Sequence, residues 1–151
     1  MNLEYAGQET VAAGPDAVWA FLQDPARVAA CLPGLEDVKV TGPGELEGHV
    51  PFGSGFLRGR LRVQLQVNTD PAAGRVTVRA QGGGLGNTLN LTAGADVKPH
   101  GDARTLLDWS GQAELRGPAF ALGGRAVEAQ AERLVTRTFR TLGDQIARSA
   151  S

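Results

Sequence analysis

The sequence is short of most groups that carry chemistry. It has a single cysteine, Cys31, which excludes a disulfide scaffold and any cysteine-only metal cage. Its two histidines, His49 and His100, supply a histidine-rich metal site poorly. Lysine occurs only at Lys39 and Lys98, so the 15 basic residues are almost all arginine, set against 16 acidic ones. The resulting net charge of −1 gives no global field to draw the chain to nucleic acid. No apolar run approaches the roughly 20 residues that span a bilayer. The opening Met1-Asn2-Leu3-Glu4-Tyr5 has neither the basic nor the apolar region of a signal peptide, so a cytoplasmic location is expected. Nothing in this inventory calls for a cofactor.

What is present is an ordinary globular balance, with 42% hydrophobic and 21% charged residues in a chain of 151. That length favours one domain over residues 1–151, able to bury roughly two thirds of its unfolded surface. The 21 glycines punctuate clear periodic segments. Asn2 to Ala12 reads as a strand with Leu3, Tyr5, Glu9 and Val11 on one parity. Pro15 then suits the first turn of a helix carrying Ala17, Val18, Phe21 and Leu22. Asp24-Pro25 caps a second short helix, with Val28, Ala29 and Cys31 on its apolar side.

From Leu35 the period changes to two. Strands are predicted over Leu35–Thr41, Glu45–Pro51, Leu57–Val67, Val76–Ala80, Leu85–Val97 and Thr105–Leu115. The strongest is the third, where Leu61, Val63, Leu65 and Val67 alternate with Arg60, Arg62, Gln64 and Gln66. Beyond Gly117-Pro118 the rest reads as one long helix, clearest from Arg125 to Arg148. Val127, Ala131, Leu134, Val135, Phe139, Leu142 and Ile146 fall at three- and four-residue steps along it. Short turns make the strands antiparallel, and the long amphipathic helix is available to cover their apolar face. The expectation is an α+β fold in which a curved antiparallel sheet of six to seven strands grips the C-terminal helix. Two short helices follow the first strand.

Specific motifs lie within this frame. Pro15-Asp16-Ala17-Val18-Trp19, Asp24-Pro25 and Cys31-Leu32-Pro33-Gly34 resemble the opening of the carbon-monoxide dehydrogenase CoxG family, in the START-like, birch-allergen-like (SRPBCC) superfamily. The run Gly53-Ser54-Gly55-Phe56-Leu57-Arg58-Gly59-Arg60-Leu61 resembles its glycine-rich third-strand motif, with Phe56 where the family pattern has proline. The resemblance covers nearly the whole chain. It implies the helix-grip fold, and an apolar cavity of the kind that holds lipids, quinones, sterols or polyketides. It also implies a genomic setting beside molybdenum hydroxylases of the carbon-monoxide dehydrogenase type. Some members carry a membrane-reaching C-terminal extension; this sequence ends at Ser151, just past the helix, so at most transient membrane-surface contact is expected.

The residues expected to face a ligand on that reading are Trp19, Leu32, Phe52, Phe56, Leu61, Val63, Val78, Leu89, Leu91, Leu107, Trp109, Phe120, Leu122, Val127 and Leu134. The same residues suit a filled core, and periodicity does not separate the two. Small inward positions such as Gly59, Ala80, Ala93 and Gly111 leave space unless large neighbours fill it. Gly82-Gly83-Gly84-Leu85-Gly86 lacks the lysine and the following helix of a phosphate loop and reads as a hairpin loop or bulge. Arg58, Arg60 and Arg62 share one outward strand face, fit either for docking an acidic partner or for plain solvation. No aromatic residues interleave with them, which disfavours nucleic acid. His49 stands between Gly48 and Val50, and no orienting carboxylate is evident that would make it a base.

The function expected is carriage of an apolar small molecule, quinone or lipid-like, without catalysis. The implied partner is a molybdenum-containing oxidoreductase, served in maturation, membrane recruitment or cargo delivery. The rival readings are a small-molecule cyclase or hydrolase on the same fold, which requires polar groups inside the cavity, and a docking module with a filled core.

Overall fold

The sheet has seven antiparallel strands in the order β1-β7-β6-β5-β4-β3-β2. The computed structural model describes residues 1–32, 34–52, 59–121 and 124–150, with side chains described at all of these except 52, 119 and 124–126. In chain order, β1 (Asn2–Val11) leads to two short helices, α1 (Pro15–Leu22) and α2 (Pro25–Ala30). Then come β2 (Glu36–Gly42), β3 (Glu45–Phe52), β4 (Gly59–Asp70), β5 (Arg75–Gly84), β6 (Asn87–Pro99) and β7 (Thr105–Arg116). A single turn of helix, α3 (Pro118–Ala121), precedes the long α4 (Gly124–Ala150). The expected α+β helix-grip architecture is therefore present, with seven strands.

Local chemistry explains the elements. Pro15 and Pro25 stand in the first turns of α1 and α2, where a missing N–H breaks no helical bond. The Asp24 carboxylate accepts the N–H groups of Ala26 and Arg27 and caps α2. On β4 the alternation is complete: Leu61, Val63, Leu65 and Val67 are buried, and Arg60, Arg62, Gln64 and Gln66 are exposed. Because β1 and β2 lie at opposite edges, α1 and α2 carry the chain from one edge of the sheet to the other. The Thr105 hydroxyl, fully buried, donates to the Ala13 carbonyl at 2.7 Å and fixes where β1 gives way to α1.

The glycine-rich segment differs from its expected loop. Gly82, Gly83 and Gly84 belong to β5, paired opposite Leu89, Thr88 and Asn87. Only Leu85 and Gly86 form the turn, at φ 52° and 80°, the left-handed pair that a two-residue hairpin needs. A Cβ on Gly84 would stand 2.8 Å from the Arg60 carbonyl, so close approach of β4 explains that glycine.

Helix α4 is fastened to the sheet by an aromatic pile. Gly7 on β1 lies opposite Trp109 on β7, and the indole covers it. The Phe139 ring of α4 stacks on Trp109 at 4.5 Å between centroids and 5° between planes. Beyond it, Leu142 and Ile146 enter one core cluster with Val11, Val18, Phe21 and Leu107. A second cluster around Leu46, Leu61, Val63 and Ala80 occupies the β3–β5 side.

The described residues beyond Gly117-Pro118 are helical as expected, in α3 and α4. One expectation about the C-terminal region needs correction. Leu134 does not face inward: it is 43% exposed. The inward stripe runs through Val127, Ala131, Val135, Phe139, Leu142 and Ile146, and a residue one step off such a stripe is rotated about 100° round the helix.

Candidate functional site

Between the sheet and α4 lies a narrow gap of about 80 Å³. Leu22 of α1, Val28 of α2 and the adjoining Cys31 and Leu32 close one end of it. Leu46, Leu65, Val67, Val76, Val78, Ala93, Gly94, Ala95 and Leu107 of the strands form its floor, and Thr138, Phe139 and Leu142 of α4 its roof. Strand alternation puts these floor residues on one face, and the three- and four-residue steps of α4 put Thr138, Phe139 and Leu142 on its underside.

The chemistry of this wall is uniform. Among the described residues no charged side chain lines it. The Thr138 hydroxyl donates to the Leu134 carbonyl at 2.8 Å, so its proton is already engaged within α4. The Cys31 thiol lies 3.5 Å from the Arg27 carbonyl, and burial pushes its pKa up to about 11. It therefore stays protonated at neutral pH, which makes it an inert wall rather than a nucleophile.

The residues expected at a ligand site divide into groups. Leu32, Val78 and Leu107 line the gap. Leu61 and Val63 are buried in the second cluster, where Leu89, Leu91 and Phe120 pack against them half-buried. Trp19 packs on the first cluster, and Val127 is half-buried on α4. Trp109 stands beside the gap, stacked on Phe139 of its roof. Leu134 turns to solvent. Phe56, Leu122, Arg58 and the side chain of Phe52 lie outside the described residues. Sequence reasoning passed over Ala95 and Phe139 as site residues, although Ala95 shares the parity of Ala93 and Phe139 falls on the apolar stripe of α4.

A second opening, of about 240 Å³, lies on the other side of Phe139, between β1 and α4. Trp109, Val135 and Phe139 give it an apolar base, and Glu9, Glu132 and Thr136 a polar rim. The Tyr5 hydroxyl closes one end by donating to the Glu128 main-chain carbonyl at 2.9 Å.

The outer face of the sheet is a lattice of ion pairs. Arg60 reaches Glu36 at 3.0 Å and Asp37 at 2.6 Å, and Arg62 reaches Glu47 at 3.1 Å. The carboxylates of Asp37 and Glu36 hold the Arg60 guanidinium charged. Both described arginines of the expected docking face thus already have acidic neighbours within the chain. His49 is on this face too, opposite Arg62, with Nδ1 3.7 Å from Asp37 Oδ2. That carboxylate was invisible in the sequence because a register irregularity in β2, with Asp37 at φ 53°, brings it there. The pair points away from the gap, so it places no acid or base inside it. No metal-holding group of His, Cys, Asp and Glu exists among the described residues, and no described helix is long and apolar enough to cross a membrane.

Known proteins resemble this arrangement at the level of fold. A conserved protein from Geobacillus kaustophilus superposes with a TM-score of 0.82 at 22% identity, covering 99% of this chain and 98% of that one. The Zhui aromatase/cyclase from Streptomyces sp. R1128 gives 0.76 at 19% identity, with 100% and 97% covered. A START superfamily protein from Mycobacterium smegmatis gives 0.71 at 16% identity, with 96% and 97% covered. No curated protein matches the sequence. The family model of carbon monoxide dehydrogenase CoxG proteins matches residues 7–147.

Proposed function

The chain belongs to the carbon monoxide dehydrogenase CoxG family, and from that premise we propose that it is a non-catalytic carrier of an apolar small molecule, quinone or lipid-like, held between the sheet and α4. On this reading it serves a molybdenum-containing oxidoreductase of the carbon-monoxide dehydrogenase type, in maturation, membrane recruitment or cargo delivery. The observation that carries the reading is the wall of the gap. Its described side chains are apolar, its one hydroxyl is engaged within α4, and its one thiol is held protonated. Such a surface favours burial of hydrocarbon and offers little to proton transfer.

Size adds a condition. About 80 Å³ is well below the roughly 300–1,000 Å³ of small-molecule sites, so cargo must widen the gap. The movable wall is the part of the roof that α4 supplies through Thr138 and Phe139, both half-buried, while the fully buried Ile146 anchors the helix beyond it. Burying roughly 300 Å² of apolar cargo surface yields about 7 kcal/mol gross. Displacing the helix and losing the cargo's freedom consume part of that, which sets the expected affinity in the micromolar range.

The test is native mass spectrometry of gently purified protein, with organic extraction and identification of the bound molecule. The expected result is a stoichiometric apolar passenger. Protein that is empty as isolated and takes up neither quinones nor fatty acids at micromolar concentration overturns the carrier reading.

A further inference from the structure

Strand β1 is an edge of the sheet, and its main chain has two unlike sides. Met1 and Leu115 exchange both main-chain bonds: the Met1 amine donates to the Leu115 carbonyl at 2.9 Å, and Leu115 N–H donates to the Met1 carbonyl at 2.8 Å. Antiparallel partners alternate between bonded and non-bonded pairs. Along the register, Leu3, Tyr5, Gly7 and Glu9 therefore direct N–H and C=O at β7. Ala6 and Gln8 direct theirs away from the sheet.

The opening of about 240 Å³ lies on that side. Five consecutive residues, 5 to 9, line it. Each face of a strand presents alternate residues, so an unbroken run of five marks the strand's edge rather than either face. The opposite wall is α4, with Glu132, Val135, Thr136 and Phe139. The slot is thus bounded by a strand edge with two residues' worth of outward donors and acceptors, an apolar base and an acidic rim.

Its electrostatics favour a cation. Glu9 stands at one end, and burial raises its carboxyl above the usual range; Arg140 draws it down and Asp144 pushes it further up. At the other end burial raises the Tyr5 phenol, helped by the negative charges of Glu128 and Glu132.

We propose that this slot receives an extended peptide segment of a partner protein, bearing basic side chains, which adds to β1 as an eighth strand. Ala6 and Gln8 are two residues apart and each offers one N–H and one C=O, which is what an incoming strand matches. A small amine would use the carbonyls and leave both N–H groups unmatched. Basic side chains are selected by Glu9, Glu128 and Glu132. A second copy of this chain is disfavoured, because β1 brings only the carboxylates Glu4 and Glu9 and no basic side chain to a rim that is already acidic. Residues 5 to 9 give about 13 Å of edge, so the contact belongs to the weak, transient class. The slot is distinct from the cargo gap, the two lying on either side of Phe139, which lines both.

The experiment titrates the full chain with a fluorescein-labelled peptide of alternating lysine and valine, and with its glutamate–valine counterpart. The lysine peptide is expected to bind at least tenfold tighter than the glutamate one. It should slow amide hydrogen exchange at Ala6 and Gln8, which general charge attraction would leave unchanged. Ala6→Pro removes an N–H that lies outside the β1–β7 ladder, as edge strands tolerate. It should weaken binding at least tenfold with the melting temperature unchanged, and Gln8→Pro is the second variant should the first not fold. Glu132→Gln should weaken binding several-fold. Four results overturn the proposal: no binding of the lysine peptide up to millimolar concentration, equal binding of both peptides, full binding by the proline variants, or exchange at Ala6 and Gln8 that stays fast. A dimer in sedimentation that Ala6→Pro dissolves also overturns it, because the occupant is then a second copy.

Discussion

Gly7→Val is expected to destabilise the protein by about 3 kcal/mol, the upper part of the range for overpacking a well-filled site. The cause is local and visible. A Cβ on Gly7 would stand 2.6 Å from Cζ2 and 2.9 Å from Cε2 of Trp109, closer than real side chains approach. The indole has little room to retreat, being 8% exposed and stacked flat on Phe139. Gly7 is held in register as well, directly opposite Trp109 in the β1–β7 ladder. The substitution therefore either bends β1 away from β7 or breaks the stack that fastens α4. Urea unfolding measures the loss. A double-mutant cycle with Trp109→Leu identifies its source, because residues in contact show coupling of roughly 0.5–3 kcal/mol. Additivity within about 0.5 kcal/mol would mean that the indole is not what the valine meets.

The second large effect concerns cargo. Ala95 is 3% exposed, sits on β6 between Val76 and Trp109 in the sheet, and faces the gap under α4. Ala95→Leu places three more carbons in that space. Binding of an apolar cargo should fall at least tenfold, equivalent to about 1.4 kcal/mol, because the cargo and the new side chain compete for one place. Stability should change by less than about 1.5 kcal/mol, since filling empty space offsets most of the crowding. Quinone titration followed by tryptophan quenching, beside urea unfolding, reads both quantities. Unchanged affinity in a folded Ala95→Leu protein would place the cargo elsewhere, with the half-buried Leu89, Leu91 and Phe120 as the next surface to alter.

The order and type of the elements were legible because each signal is local. Alternation on β4, proline at the starts of α1 and α2, and the Asp24 cap act within a few residues. The candidate site was legible only in part. Leu32, Val78 and Leu107 reach the gap, but the sequence could not tell Leu134 from Val135 on α4, because which side of the stripe meets the sheet is set by tertiary docking. Phe139 gains its importance from Trp109, thirty positions earlier, and Trp109 gains its room from Gly7, 102 positions before that. The His49–Asp37 approach depends on an irregularity in β2 that no periodicity announces. The slot beside β1 depends on the phase of hydrogen bonding with β7, a property of the pair and not of either strand.

The gap beneath α4 has one further consequence. About 80 Å³ of space per molecule amounts to about 50 mL per mole, comparable with the whole volume decrease that commonly accompanies unfolding. Hydrostatic pressure therefore works directly against the empty protein, whose collapse or unfolding eliminates that volume. A molecule carrying cargo has less volume to surrender and resists better. If the carrier proposal holds, loaded and empty forms thus differ in compressibility as well as in occupancy, and the protein is mechanically softest when the gap beneath α4 is empty.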